Sequence, residues 1–465
     1  MSNVSTAELV ADAALVRSGK ARTRRRGIRS VAAWVIWAVV LGNGAAIVWL
    51  WIRGGGISGV HTTGQFLTSI GRITGLLGAY SALLQVLLLA RMPWMERIAG
   101  FDRLTVWHRR NGKLCLYLVL AHTVLTTVGY AMKHKISITH QITKLWTSYE
   151  GMVTAVIGSV LMILVVVTSL VIVRRRFRYE TWHLVHLLAY ASIALGWFHQ
   201  IPTGTELASD HAAATYWRSL YVGTLALLVA FRILQPIVRG LWFRMRVAEV
   251  TQEAPGVVSL RITGRHLHRL RAEGGQFFLW RFMSRDRFLQ AHPFSLSESP
   301  DGHSLRITVK ASGDFTGAVA SIKPGTRVSA EGPFGAFTRS VRTRERVALI
   351  AGGIGITPIR CLLEEMSGDV TLVYRTMREE DVIFRGELDA LAERPGVTLH
   401  YVIGDHASSG GNRLLGPEHL RALIPDLETR DIYLCGPPAM AQVIGSNLRR
   451  AGVSRRHIHT ERFAL

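Results

Sequence analysis

Six stretches in the first half of the chain, at about 30–52, 67–91, 105–130, 151–173, 181–200 and 215–238, are long and apolar enough to cross a bilayer. Backbone inside lipid must satisfy its own hydrogen bonds, so segments of this composition fold as a helical bundle. Beyond residue 240 the pattern changes to short alternating runs broken by turns, the mark of a water-facing fold. The sequence therefore divides into a terminal segment (1–29), a six-span bundle (30–240), a β-rich domain (241–340) and an alternating β/α domain (341–465).

Charge orients the bundle. A formal net charge of +23 would suit a nucleic-acid binder, but the arginines cluster beside the apolar segments instead of forming one binding stripe. Arg22–Arg26, the 91–113 connection (Arg91, Arg97, Arg103, Arg109, Arg110, Lys113), Arg174–Arg176 with Arg178, and Arg239, Arg244 and Arg246 carry most of it. The other connections hold mainly Arg53, Lys133, Lys135 and Lys144. The positive-inside rule then predicts a multi-pass plasma-membrane protein, in bacteria the inner membrane, with its N-terminus and soluble half in the cytoplasm. Three scattered cysteines (Cys115, Cys361, Cys435) provide no disulfide framework, thiolate zinc site or four-thiolate iron–sulfur cluster. No cleavable signal peptide is evident.

Four histidines stand inside the predicted spans: His108 and His122 in the third, His186 and His199 in the fifth. The gaps, 14 and 13 residues, correspond to roughly 20 Å along a helix axis. Both spans run outward, so His108 meets His186 on the inner side and His122 meets His199 on the outer. Ionisable groups in a span are costly, and neutral imidazole is an axial ligand for haem iron. The pattern predicts two stacked haems, each held by one histidine from each helix; four histidines serving only helix packing would not explain two matched spacings. His183 is a competitor for the inner position, while His134, His140, His61 and His211 fall in expected outer loops. Arg72, near the outer end of the second span, is expected either to face a haem propionate or anion, or to snorkel to the headgroups.

The soluble half carries two sets of signals. Strands around Glu253–Gly256, at Gly275–Trp280 and at Leu305–Lys310, together with His292–Ser297, Gly313–Gly317 and Glu331–Gly335, predict a small antiparallel barrel compatible with a phosphate-bearing ligand. From Arg346 onward strand and helix alternate. Gly352-Gly353-Ile354-Gly355-Ile356-Thr357-Pro358 turns from a strand into a helix, and Cys435-Gly436-Pro437-Pro438 follows a later strand. This is the plan of a doubly wound parallel sheet binding a pyrophosphate at a glycine turn. Arg375 and Arg378 follow the second strand, where a ribose 2′-phosphate would need guanidinium contacts; a solvated helix start is the plainer use. Phe463, near the last residue, could cover a flavin face.

His292-Pro293-Phe294-Ser295, the glycine turn and Cys435-Gly436-Pro437-Pro438, in that order, resemble the ferredoxin–NADP reductase superfamily. Preceded by six spans with paired histidines, the chain from about 30 to 465 resembles the transmembrane ferric reductase and NADPH oxidase superfamily, its bacterial members lacking calcium-binding extensions most of all. The resemblance implies FAD on the barrel at His292, Pro293, Phe294 and Ser295, with Lys310 and Thr316 toward its phosphates. It implies NADPH (NADH being possible) on the sheet at Gly352, Gly353, Gly355, Thr357 and Pro358, with Gly436 and Pro437 beside it. Cys435 would lie near the nicotinamide, with Phe463 stacked on the flavin. Thr126 stands where some animal oxidases carry a further histidine near the oxygen site.

The expected function is electron transfer from NADPH through FAD and two b-type haems to a small-molecule acceptor outside, oxygen or a ferric chelate, with Arg72 as a fixed positive charge. Delivery to a dedicated protein partner on the outer face is the alternative. A proton channel or transporter with a regulatory soluble half would lack haem. The expected partners are the lipid bilayer and the small acceptor, with a second copy of the chain as a further candidate and no nucleic acid.

Overall fold

In the computed structural model the chain forms two compact units, Met1–Ile233 and Leu234–Leu465. The structure describes residues 31–174, 176–177, 179–284, 290–404 and 414–462. The expected N-terminal segment with Arg22–Arg26, two of the arginines after the fourth span (Arg175 and Arg178) and Phe463 lie outside the described residues.

Among the described residues six helices are long and apolar enough to cross a membrane, and each falls on an expected span. They are α1 (Val31–Gly56), α2 (Thr63–Leu88), α3 (Phe101–His134), α4 (Met152–Ser169), α5 (Tyr179–Thr203) and α6 (His211–Phe243). Local chemistry sets several ends. The Thr62 hydroxyl and the Gln65 side chain cap each other's backbone N–H groups at the start of α2. Asp210 accepts from the Ala212 and Ala213 amides at the start of α6, at 2.9 and 3.1 Å.

Packing within the bundle relies on small residues, as helix association in lipid does. The bundle is built from two closely packed pairs, α2 on α3 and α4 on α5. A Cβ at Gly71 would stand 2.7 Å from the Thr126 methyl, and one at Gly129 only 2.5 Å from the Thr68 hydroxyl. In the other pair the Ser192 hydroxyl donates to the Gly158 carbonyl at 2.6 Å. Helices α3 and α5, which carry the four histidines, are not a closely packed pair, and a cavity lies between them at the level of His122 and His199.

One expectation needs correcting. The connection holding His134 and His140 is largely helical: α3 continues to His134, and a further helix spans Ile138–Ser148, capped by Ser137. The signal was present as Ile138, Ile142, Leu145 and Trp146, an amphipathic spacing. Both histidines are exposed, as expected.

The second unit contains two three-stranded antiparallel sheets and one five-stranded parallel sheet. Its strands are β1 (Arg246–Ala254), β2 (Val257–Thr263), β3 (Phe277–Phe282), β4 (His292–Ser295), β5 (Ser304–Lys310), β6 (Val328–Phe334), β7 (Val347–Gly352), β8 (Val370–Thr376), β9 (Val397–Ile403), β10 (Asp431–Gly436) and β11 (Ile458–Arg462). The antiparallel orders are β1-β2-β5 and β4-β3-β6. Trp280, Phe278, Leu260, Ile262 and Ile307, all fully buried, form the core between them. The parallel order β11-β10-β7-β8-β9 places the reversal of direction between β7 and β10, the switch point at which doubly wound sheets bind ligands. Helix α7 (Ile356–Glu365) follows β7 directly after the glycine turn.

Candidate functional site

The four histidines of the bundle form two facing pairs. The His108 and His186 ring centroids are 6.0 Å apart, and those of His122 and His199 are 6.3 Å apart. The ring facing His108 is that of His186 and not His183. Three of the four rings are held from outside their pair. His108 Nδ1 donates to the Gln85 carbonyl at 3.2 Å and His122 Nδ1 to the Gly71 carbonyl at 2.8 Å, both on α2. His186 Nδ1 pairs with the Ser169 hydroxyl of α4 at 3.1 Å. A ring that gives its Nδ1 proton to a carbonyl keeps the Nε2 lone pair for a metal, the arrangement of metal-bound imidazoles.

These pairs fit an iron porphyrin. Metal–nitrogen bonds of about 2 Å, plus about 1 Å from each nitrogen to its ring centre, separate two axial imidazoles by about 6 Å. The second pair borders a cavity of about 570 Å³ lined in part by Gly75, Val119, Ser192 and Gly196, within the range of about 300–1,000 Å³ for ligand pockets. Gly196 has nothing within 4 Å of where a Cβ would stand, so the wall is open there. Among the described residues no three His, Cys, Asp or Glu side chains converge on one point, so each pair stands without a third such ligand.

Arg72 lies on this cavity, and its Nε is 3.0 Å from Glu206 Oε1. Glu206 is buried, 3% exposed at the side chain, and packs against Gly54. Burial raises its carboxyl above the ordinary range, opposed by Arg72. Neither Glu206 nor the hub at Gln200, whose side-chain oxygen accepts from Trp217 Nε1 (2.8 Å) and the Tyr221 hydroxyl (3.0 Å), was anticipated. Glu206, a carboxylate between two spans, was the available clue.

On the barrel, β4 carries His292-Pro293-Phe294-Ser295. Pro293 is exposed, Ser295 is buried, and the Phe294 carbonyl accepts from Trp280 Nε1 at 3.0 Å. Phe315 stacks on His292 with centroids 3.7 Å apart. Lys310 is exposed. The Thr316 hydroxyl accepts from the Ser312 and Gly313 amides, both at 2.9 Å, and so closes its own loop. A Cβ at Gly313 or Gly317 would meet nothing within 4 Å, leaving room beside this loop for a phosphate group.

At the switch point, glycine is required by proximity. A Cβ at Gly355 would overlap the Cys435 carbonyl, far inside van der Waals contact, and the Met440 thioether fills the corresponding space at Gly352. Gly353 (φ 51°) faces open space, as a backbone presented to a pyrophosphate must. Gly436 and Pro437 end β10 beside it. Thr357 and Pro358 are buried, and the Thr357 hydroxyl donates to the Ile354 carbonyl at 3.0 Å. Cys435 is fully buried in the core that also holds Ile356 and Leu362. Burial, reinforced by Glu461, pushes its thiol well up, so the chain keeps it as a thiol. Arg375 is buried and donates to the Thr376 and Val402 carbonyls, whereas exposed Arg378 pairs with Glu380 at 2.9 Å.

Residues 74–197 match the family described as ferric reductase like transmembrane component, residues 242–338 a FAD-binding domain, and residues 349–445 an oxidoreductase NAD-binding domain. The chain is 32% identical over 168 residues to NADH-cytochrome b5 reductase 1 of Laccaria bicolor, a match covering 34% of this chain and 54% of that protein. It is 28% identical over 259 residues to ferredoxin–NADP reductase B of Sorangium cellulosum, covering 51% of this chain and 96% of that one. The chain spans about half to three-fifths of the length of the first of these curated relatives. A solved FAD/NAD-binding domain of nitric oxide dioxygenase from Vibrio cholerae aligns at 24% identity and a TM-score of 0.40, covering 48% of this chain and 98% of that one.

Spans, barrel and nucleotide sheet follow in the order of a ferric reductase like transmembrane component, a FAD-binding domain and an oxidoreductase NAD-binding domain. The motif order and the three matched regions agree. The chain belongs to the ferric reductase and NADPH oxidase superfamily.

Proposed function

We propose that the protein carries electrons from NADPH on the parallel sheet, through FAD on the barrel and two b-type haems in the bundle, to an acceptor on the opposite membrane face. Nicotinamide supplies a hydride, flavin exchanges two electrons for one, and haem iron passes single electrons. The observation that carries this reading is the pair of imidazole separations, 6.0 and 6.3 Å, between α3 and α5, with a cavity beside the second pair.

The chain's own residues supply placement. His108 with His186, and His122 with His199, would hold the irons, oriented by Gln85, Gly71 and Ser169. Two histidines per iron would leave no open coordination position, so His108, His186, His122 and His199 would support electron transfer to the acceptor, oxygen or a ferric chelate, without its ligation. Gly353 and Gly355 would cradle the pyrophosphate, with Pro293 and Ser295 against the flavin. Cys435, buried beside Gly436, positions this wall and does not react. Arg72 and Glu206 together make the acceptor end of the cavity nearly neutral, a weaker attraction for anions than Arg72 alone would give.

The test is spectroscopic. A reduced-minus-oxidised spectrum of the unaltered protein has a b-type band, and His199→Leu loses about half the haem while flavin content stays constant. Full haem content in that variant, or ready ligation of both irons by cyanide, refutes the assignment. NADPH-driven reduction of oxygen and of a ferric chelate, with and without superoxide dismutase, identifies the acceptor. A purified protein slow with both would favour a dedicated protein partner.

A further inference from the structure

The end of α6 and the loop after β2 meet in a patch with one sign of charge. Arg244 and Arg246 flank the helix end, and Arg265, His266, His268, Arg269 and Arg271 follow on the loop. All seven are exposed, and residues 239–246 and 264–272 contain no Asp or Glu. The segments are joined by the Arg265 amide, which donates to the Phe243 carbonyl at 2.6 Å. Trp242, 48% exposed, lies between His266 (ring centroids 5.2 Å) and Arg269 (guanidinium carbon 5.7 Å from the ring centre).

Two features mark this as a presented surface. Leu267 and Leu270, both buried in the barrel core, pin the loop, while Arg244 (φ 43°), His266 (φ 57°) and Arg271 (φ 50°) adopt left-handed backbone that non-glycine residues enter uncommonly. Partners are also missing. Elsewhere in this unit Arg261, Arg306, Arg360 and Arg430 pair with carboxylates at 3.0 Å or less. Among the described residues, no carboxylate lies within 4 Å of a side-chain nitrogen of Arg244, Arg265, Arg269 or Arg271.

We infer that this patch binds the phosphodiester headgroups of anionic phospholipids in the leaflet where α6 ends. The occupant follows from position: Leu241 and Trp242 are the exposed apolar end of a membrane span, and an aromatic there sits at headgroup depth. Arginines clustered immediately beyond a span attract anionic lipid, each adding to the hold. The contact ties the barrel to the bilayer surface through the loop 264–272, independently of any redox chemistry.

Hydrogen exchange of the full-length protein tests this in nanodiscs of phosphatidylcholine and of phosphatidylcholine with about three parts in ten phosphatidylglycerol. Residues 264–272 are expected to exchange about tenfold more slowly in the anionic discs, with the difference shrinking in high salt. The triple variant Arg265→Gln, Arg269→Gln, Arg271→Gln, checked for bound flavin, should lose that protection. Arg449→Gln with Arg450→Gln, on the nucleotide domain, should keep it. Equal exchange in the two lipids, retained protection in the triple variant, or the same protection from inorganic phosphate added to the neutral discs overturns the inference.

Discussion

Removing one member of the Arg72–Glu206 pair should cost far more than removing both. The charges are 3.0 Å apart, and the Glu206 side chain is 3% exposed against 19% for Arg72. At an effective dielectric of about 20 their attraction is about 5 kcal/mol. Arg72→Leu strands a buried carboxylate and should destabilise the bundle by about 3–5 kcal/mol. For a unit of this size that lowers the melting temperature by roughly 6–20 °C. Glu206→Leu should cost less, since Arg72 sits nearer the solvent-accessible end and can turn outward. The double variant, Arg72→Leu with Glu206→Leu, should recover to within about 1–2 kcal/mol of the unaltered protein, because a well-packed apolar pair often replaces a buried ion pair at little loss. The assay is thermal unfolding of the purified protein in one detergent, followed by intrinsic fluorescence and analysed as a double-mutant cycle. A coupling energy below about 0.5 kcal/mol would show that the two residues are neighbours without being partners.

Two further predictions concern the second unit. Asp431 is fully buried; burial alone would raise its carboxyl, but His459, the Thr343 and Arg344 amides and His457 outweigh it and hold it well below the ordinary range. A depressed folded-state value contributes stability that is complete above the unfolded value of about 4 and drains away as pH falls below it. Melting of the unaltered protein should therefore begin to drop near pH 4 and keep falling well below it, and Asp431→Asn should start lower and show a flatter profile. For the nucleotide, Arg378→Ala is expected to lower kcat/KM for NADPH by about tenfold and leave NADH unchanged, as loss of one exposed guanidinium–phosphate contact would; an equal fall with both nucleotides would remove Arg378 from the 2′-phosphate site.

Much of this was legible in the chain. The histidine spacings were readable because a helix converts sequence separation directly into height. The glycine turn was readable because the turn after β7 lies too close to the end of β10 for a side chain at Gly355. Other features were hidden for identifiable reasons. Nothing local marks Glu206 as the partner of Arg72, since the pairing depends on how the ends of separate helices meet. Strand β6 was only partly evident, since its register with β3 shifts between Phe277 and Leu279 and breaks the alternation. The inward direction of Cys435 could not be read either, because a central parallel strand is buried on both faces.

The imidazole contacts outside the two facing pairs have one more consequence. His108 and His122 are tethered to α2, and His186 to α4, each within its own closely packed helix pair, while among the described residues His199 Nδ1 has no hydrogen-bond partner. Whatever bridges the facing rings then stitches two nearly self-sufficient halves. A cell short of that bridging group would be expected to accumulate bundles that had inserted correctly yet stood ajar, open to proteolysis along the seam.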